Sequence, residues 1–181
     1  MKNKKRVCVF ASATNELDEI YYKTAIELGE YIANNNYDIV YGGSHRGLMY
    51  ACAKSVKENG GEIYAVMPEI FVNMGLSNPE DCAEFYITSG MRERKAKLDE
   101  ISDCVIAISG GFGTLEELSE IIVQKSLGYN NKAIVILNTN GFYDDLIKFF
   151  DSFIDKNFAA KSCKCLYYVA NSPQDAINYI N

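Results

Sequence analysis

No run in this chain approaches the roughly 20 consecutive apolar residues that a membrane-spanning helix requires. The longest, residues 48–53 and 165–170, have six each, so a helical membrane protein is excluded. Positive charge is also in short supply: 18 Lys plus Arg face 24 Asp plus Glu, a net charge of −6. The basic stripe of a duplex-binding protein is missing, and nucleic acid is not an expected partner. Histidine occurs once, at His45, so one chain cannot build a histidine triad or a multi-histidine metal site. In a turn bounded by glycines, that residue reads more readily as an exposed loop position than as a base. Proline occurs three times, and no Pro/Ser-rich linker, internal repeat or low-complexity tract breaks the chain. One domain spanning residues 1–181 is the expected organisation.

Six cysteines are present, but disulfide frameworks belong mostly to small secreted chains that lack a sufficient core. No C-x-x-C pairs with a second one, and Cys163 and Cys165 are separated by a single residue, so neither a zinc site nor any other metal site is expected. Residues 1–6 are basic and precede a short apolar stretch, superficially like an export signal. The apolar core of that stretch, residues 7–10, is too short for one, and the cytoplasm is the expected compartment.

With 181 residues, 48% of them hydrophobic, the chain can bury one sizeable core. Short apolar runs alternate with longer segments of helical period, the pattern of a βαβ chain around a parallel sheet. Strands are predicted at residues 6–11, 37–41, 62–67, 104–108, 133–137 and 166–170. Helices are predicted at 16–34, 47–58, 91–102, 114–127, 143–157 and 173–180. The stretch 68–88 carries two of the prolines and shows no clear period, so it is expected to be a lid or binding loop. The fold class is therefore α/β with a doubly wound parallel sheet.

In such sheets ligands collect beyond the carboxyl ends of the strands, where glycine lets an anion approach a helix N-terminus. Two glycine turns fall there: Gly42-Gly43-Ser44-His45-Arg46-Gly47 after the second predicted strand, and Ser109-Gly110-Gly111-Phe112-Gly113-Thr114 after the fourth. Neither is a Walker A loop, since no Gly-Lys-Ser/Thr follows, and neither is the dinucleotide fingerprint after the first strand. Thr114-Leu115-Glu116-Glu117 also matches a capping box, Thr with Glu three residues on, which by itself accounts for both residues. A phosphate held on the free N–H groups of the turn and on the Thr114 hydroxyl, with Glu117 ionised nearby, is the functional reading. The two are compatible.

A second anomaly lies in the predicted helix 91–102. At about 100° per residue, Met91, Leu98 and Ile101 define one apolar arc, and Arg94 falls inside it. A charge facing a core must be paired or bind an anion, because burying it alone is expensive. The alternative is an Arg whose stem packs while its head reaches solvent.

With these residues in view, the chain resembles the LOG-type cytokinin riboside 5′-monophosphate phosphoribohydrolases, many of which carry the older label of lysine decarboxylase. The family pattern P-G-G-x-G-T-x-x-E is similar to residues 109–117, S-M-H-E-R-K to Gly90-Met91-Arg92-Glu93-Arg94-Lys95, and Y-G-G-G-x-x-G-L-M to residues 41–49. The resemblance implies a Rossmann-like three-layer homodimer that binds a small-molecule nucleotide without a cofactor. The dimer is expected to meet through helix 91–102 or 114–127. By the same resemblance Arg94 and Glu117 are the catalytic pair, and Ser12, Gly43, Met91, Lys95, Gly110, Gly111, Phe112, Gly113, Thr114 and Glu116 bind substrate. The reaction implied is hydrolysis of the N-glycosidic bond of AMP or N6-prenyl-AMP. Ala11-Ser12-Ala13-Thr14 stands where the family commonly has Cys-Gly-Ser-Ser, Ser44 for the third glycine, Ser109 for proline, Arg92 for histidine, and Val123-Gln124 for Thr-Trp. The last two departures bear on base or ribose recognition more than on chemistry.

Two other functions compete. A carrier of a nucleotide or pterin cofactor would use the same phosphate turn for binding alone. A pyridoxal-phosphate decarboxylase would need Lys95 or Lys97 as its Schiff base, and the acidic partner for a pyridine nitrogen is lacking.

Overall fold

A computed structural model describes residues 4–181; Met1–Asn3, half of the basic N-terminal stretch, lie outside it. Seven parallel strands form one sheet: β1 (Lys5–Phe10), β2 (Tyr37–Tyr41), β3 (Ile63–Pro68), β4 (Glu84–Thr88), β5 (Cys104–Ala107), β6 (Ala133–Leu137) and β7 (Tyr168–Ala170). Their spatial order is β4-β3-β2-β1-β5-β6-β7. Seven helices connect or follow them: α1 (Glu19–Asn34), α2 (Gly47–Glu58), α3 (Glu69–Asn73), α4 (Met91–Glu100), α5 (Phe112–Ser126), α6 (Asp144–Asp155) and α7 (Pro173–Ile180).

Successive strand residues supply opposite cores, as a pleated strand requires. In β1, Val7 and Val9 pack with α1, α2 and α7 around Leu28, Ile32, Cys52, Val56 and Ile177. Cys8 and Phe10 point the other way, to Leu98 of α4 and Leu118 and Ile121 of α5. Both sheet faces are covered, which explains why the central strands read as unbroken apolar runs rather than alternating ones. The three-layer, doubly wound architecture is thus as expected. Among the described residues no helix is long and apolar enough to cross a membrane.

Residues 68–88 correct the sequence reading. They are not an irregular loop: α3, a short 3-10 turn at Pro79–Asp81 and the strand β4 lie there. β4 pairs only with β3, with Ala65 opposite Phe85, and is one of the two outer strands of the sheet. Its side chains are half exposed, so it lacks the apolar run that marks the buried strands, and five-residue α3 is too short to show a period.

The order of the strands reverses direction between β1 and β5, where the chain leaves β1 for one side of the sheet and β5 for the other. The Ser12 N–H donates to the Ser109 carbonyl (3.2 Å) and ties the loops beyond these two strands together. A crevice for ligands is expected at this point of a doubly wound sheet.

Candidate functional site

A cavity of about 350 Å³ opens at this crevice. The loop after β1 contributes Ser12 and Thr14, the turn after β2 Gly42 and Ser44, α4 Met91 and Arg94, the turn after β5 Gly111, and α5 Gly113, Thr114 and Glu117. Met49, Met67, Phe71 and Leu76 form an apolar wall.

Arg94 is the buried charge anticipated from its place on the apolar arc, with 7% of its side chain exposed. It is paired rather than extended to solvent. Its Nη1 donates to Oε1 of Glu117, itself 6% exposed. Its Nε donates to the Val66 carbonyl of β3 (3.2 Å). Burial pushes the Glu117 carboxyl above the ordinary glutamate range, against the lowering pull of Arg94. A buried ion pair is a poor source of stability, because desolvation can exceed the Coulombic gain. A buried pair on a cavity wall, with one carboxyl held at a raised pKa, is what acid–base and electrostatic chemistry needs.

The capping-box reading of Thr114 and Glu117 does not hold. Helix α5 begins two residues earlier than expected, with Gly111 as its N-cap and no side-chain capping bond. Thr114 is therefore the third helical residue, and Glu117 lies one turn inside the helix, facing Arg94. The first N–H of this helix to find a backbone acceptor is that of Leu115, bonded to Gly111 (3.0 Å). Among the described residues the N–H groups of Gly111, Phe112, Gly113 and Thr114 have no protein acceptor. Four free donors at the positive end of a 15-residue helix make a cradle for an anion. Gly110 is required for the shape of the turn: a Cβ there would come within 2.6 Å of Thr114 Cβ, whereas Gly111 and Gly113 have open space at that position.

Other sequence candidates are placed differently. The Phe112 side chain is 92% exposed and points away from the cavity, leaving its N–H as its contribution. Lys95 pairs with Glu116 and Glu120 on the outer side of α4 and α5, beside Arg92, Leu115 and Val123. None of these side chains is on the cavity wall. Gly43, at φ 80°, sits behind the wall, where a Cβ would press on Met67 at 3.1 Å. Ser12 and Met91 do line the cavity. Phe71 and Leu76 come from the stretch 68–88, expected to be a lid or binding loop; that they join Met67 in one apolar wall is legible only once β3 and α3 are placed beside the crevice.

No cysteine is poised as a nucleophile at the pair. Burial pushes the thiol of Cys8 up, and those of Cys52 and Cys104 up to about 12. Among the described residues no group of three His, Cys, Asp or Glu side chains is gathered to hold a metal ion.

The family model described as possible lysine decarboxylase matches residues 49–180. The probable cytokinin riboside 5′-monophosphate phosphoribohydrolase LOGL2 of Oryza sativa subsp. japonica is 36% identical over 96% of this chain and 70% of its own length. The cytokinin riboside 5′-monophosphate phosphoribohydrolase LOG5 of Arabidopsis thaliana is 34% identical over 96% of this chain and 75% of its own. Among solved structures, a molybdenum cofactor carrier protein from Chlamydomonas reinhardtii superposes with a TM-score of 0.74 at 25% identity, over 97% of this chain and 94% of that one.

Proposed function

The chain belongs to the possible-lysine-decarboxylase family, the LOG-type group of cytokinin riboside 5′-monophosphate phosphoribohydrolases, and from that premise we propose that it is a hydrolase. It splits the N-glycosidic bond of a purine nucleoside 5′-monophosphate, AMP or an N6-prenylated analogue, to the free base and ribose 5-phosphate. Its whole length, residues 1–181, acts as one nucleotide-binding domain in the cytoplasm. The observation that carries the reading is the buried Arg94–Glu117 pair beside four unsatisfied N–H donors in one cavity.

The 5′-phosphate occupies the N–H groups of residues 111–114, with Ser12 and Thr114 close by. The base lies toward Met49, Met67, Phe71, Leu76 and Met91. As the bond from C1′ to the base nitrogen breaks, its electron pair leaves with the base, which takes up a proton, and positive charge develops on the ribose. An ionised Glu117 stabilises that oxocarbenium character and accepts a proton from the water that adds to C1′. Arg94 is always protonated and makes a poor proton donor at neutral pH. Its work is electrostatic: it holds Glu117 in place and favours the ionised carboxylate against the effect of burial.

The carrier reading draws on the likeness to the molybdenum cofactor carrier. An anion cradle alone would serve a carrier; the buried carboxylate–guanidinium pair next to it, with a raised carboxyl pKa, supports the enzyme. AMP incubated with the protein should yield free adenine, and adenosine should not, since the cradle acts on the phosphate. Comparable kcat/KM for the two would remove the cradle from the reaction, and binding of AMP without any release of adenine would favour the carrier.

We further propose a homodimer joined through the outer face of α5. Phe112, Val123 and Leu127 are all more than half exposed there, flanked by the Lys95–Glu116–Glu120 charges. Phe112→Asp should give a monomer in light scattering at micromolar concentration.

A further inference from the structure

We propose that Gly42 is a positioning residue for the reaction, its lack of a side chain being the space in which the Arg94 guanidinium is held against Glu117; this inference rests on the hydrolase reading above. A Cβ built on Gly42 would overlap Nη2 of Arg94 and come within 3.2 Å of its Cζ and 3.0 Å of Met49 Sδ. Gly42 is not in the left-handed region, so the backbone accepts alanine without strain. The main obstacle is the guanidinium, which would be overlapped outright, whereas the Met49 thioether at 3.0 Å needs to shift by only a few tenths of an ångström. Guanidinium groups are ordinarily free to swing away from such an intrusion, but this one is fastened on its other sides, by Nε to Val66 and by Nη1 to Glu117. Met49 closes the remaining side. Arg94 can make room for a methyl group only by giving up one of these bonds, and Glu117 is the partner it loses when the head rotates from β2.

The consequence differs from that of a packing glycine. Gly42→Ala should leave the fold in place, lower kcat by about 100-fold, the cost of a small misplacement at a reacting centre, and change KM for AMP little. Glu117 would lose the Arg94 contact that lowers its pKa, so its titration should move to higher pH. That titration is read by carbon NMR of carboxyl-labelled glutamate without any substrate. A protein that does not hydrolyse AMP would therefore sink the hydrolase reading while leaving the coupling of Gly42, Arg94 and Glu117 open to measurement.

The deciding experiment is a double-mutant cycle. In an Arg94→Met background, where no guanidinium needs the space, Gly42→Ala should change neither the Glu117 titration nor the residual rate. If Gly42→Ala alone fails to fold but the double variant folds, the clash with Arg94 is again the cause. Wild-type kcat and an unmoved Glu117 titration in Gly42→Ala would overturn the proposal. So would equal effects in both backgrounds, or unfolding in both.

Discussion

The two glycine turns look alike in sequence, each following a buried parallel strand and opening a helix on the same edge of the sheet, yet they do opposite work. At the start of α2, beyond the first turn, most of the backbone donors are already used within the protein. The N–H of Gly47 donates to Asn15 Oδ1 (3.1 Å), that of Met49 to the Ser12 carbonyl (3.0 Å) and that of His45 to the Leu76 carbonyl (3.1 Å). Its glycines are there for close approach. Gly47, at φ 63°, would place a Cβ 2.6 Å from the carbonyl oxygens of Ser12 and Thr14. In the turn after β5 the donors of residues 111–114 are left over. A helix N-terminus becomes an anion site only when nothing in the protein has reached it first.

This contrast can be broken in several ways. The largest effect is expected at the charge beside the second turn: Glu117→Gln should lower kcat by about two orders of magnitude or more, on the order of 3 kcal/mol, the scale of one aimed electrostatic group. With the capping role removed by the observed start of α5, a Gln variant with near wild-type turnover on saturating AMP would leave the pair without a catalytic use. Arg94→Lys keeps a charge but loses the planar fork, and should also lose most activity.

Next in size are the glycines themselves. Gly47→Ala, strained at its φ and against backbone atoms, should cost about 1–3 kcal/mol of stability, read as a fall in the denaturant midpoint. Gly113→Ala meets nothing in the protein and should leave stability nearly unchanged while raising KM for AMP and narrowing the preference for AMP over adenosine. If Gly113→Ala destabilised the protein and Gly47→Ala raised KM instead, the assignment of the two turns would be reversed.

The smallest effect is in pH dependence. Glu117 titrates above the ordinary glutamate value because of burial, and its ionised form is the active one. Activity should thus fall as pH drops through a value above the ordinary glutamate range, and the acid limb should vanish from the residual rate of Glu117→Gln. For stability the sign is opposite: a raised folded pKa gives a contribution fully present below the unfolded value and lost as pH rises through the folded one. A limb at the ordinary glutamate position would mean that solvent reaches the carboxyl.

Much of the fold could be read from residues alone. β1, β2, β3, β5 and β6 are buried on both faces and therefore appear as apolar runs, and α1 and α2 carry one apolar face each. β4 could not be read, because an outer strand with half-exposed side chains leaves no run to find; residues 68–88 read as a binding loop, but the sequence does not show that Phe71 and Leu76 are the ones that face the cavity. Arg94 was legible as a charge on an apolar arc and Glu117 as an acid beyond a glycine turn. The directions of Lys95 and Glu116 were not, since a helix shows its outer and inner faces only once it is docked.

What the sequence by itself determined is the periodicity, and hence the parallel sheet, its two covered faces and the presence of glycines at the strand ends. Tertiary structure alone decided which of the two helix starts remained open. The acceptors that occupy the start of α2 come from Ser12 and Asn15 of another loop, and Leu76 beyond α3 takes the N–H of His45. Local spacing cannot express a hydrogen bond across some 30 residues. The meeting of Arg94 and Glu117 has the same origin, because α4 and α5 reach each other only through the packing of both helices on one face of the sheet.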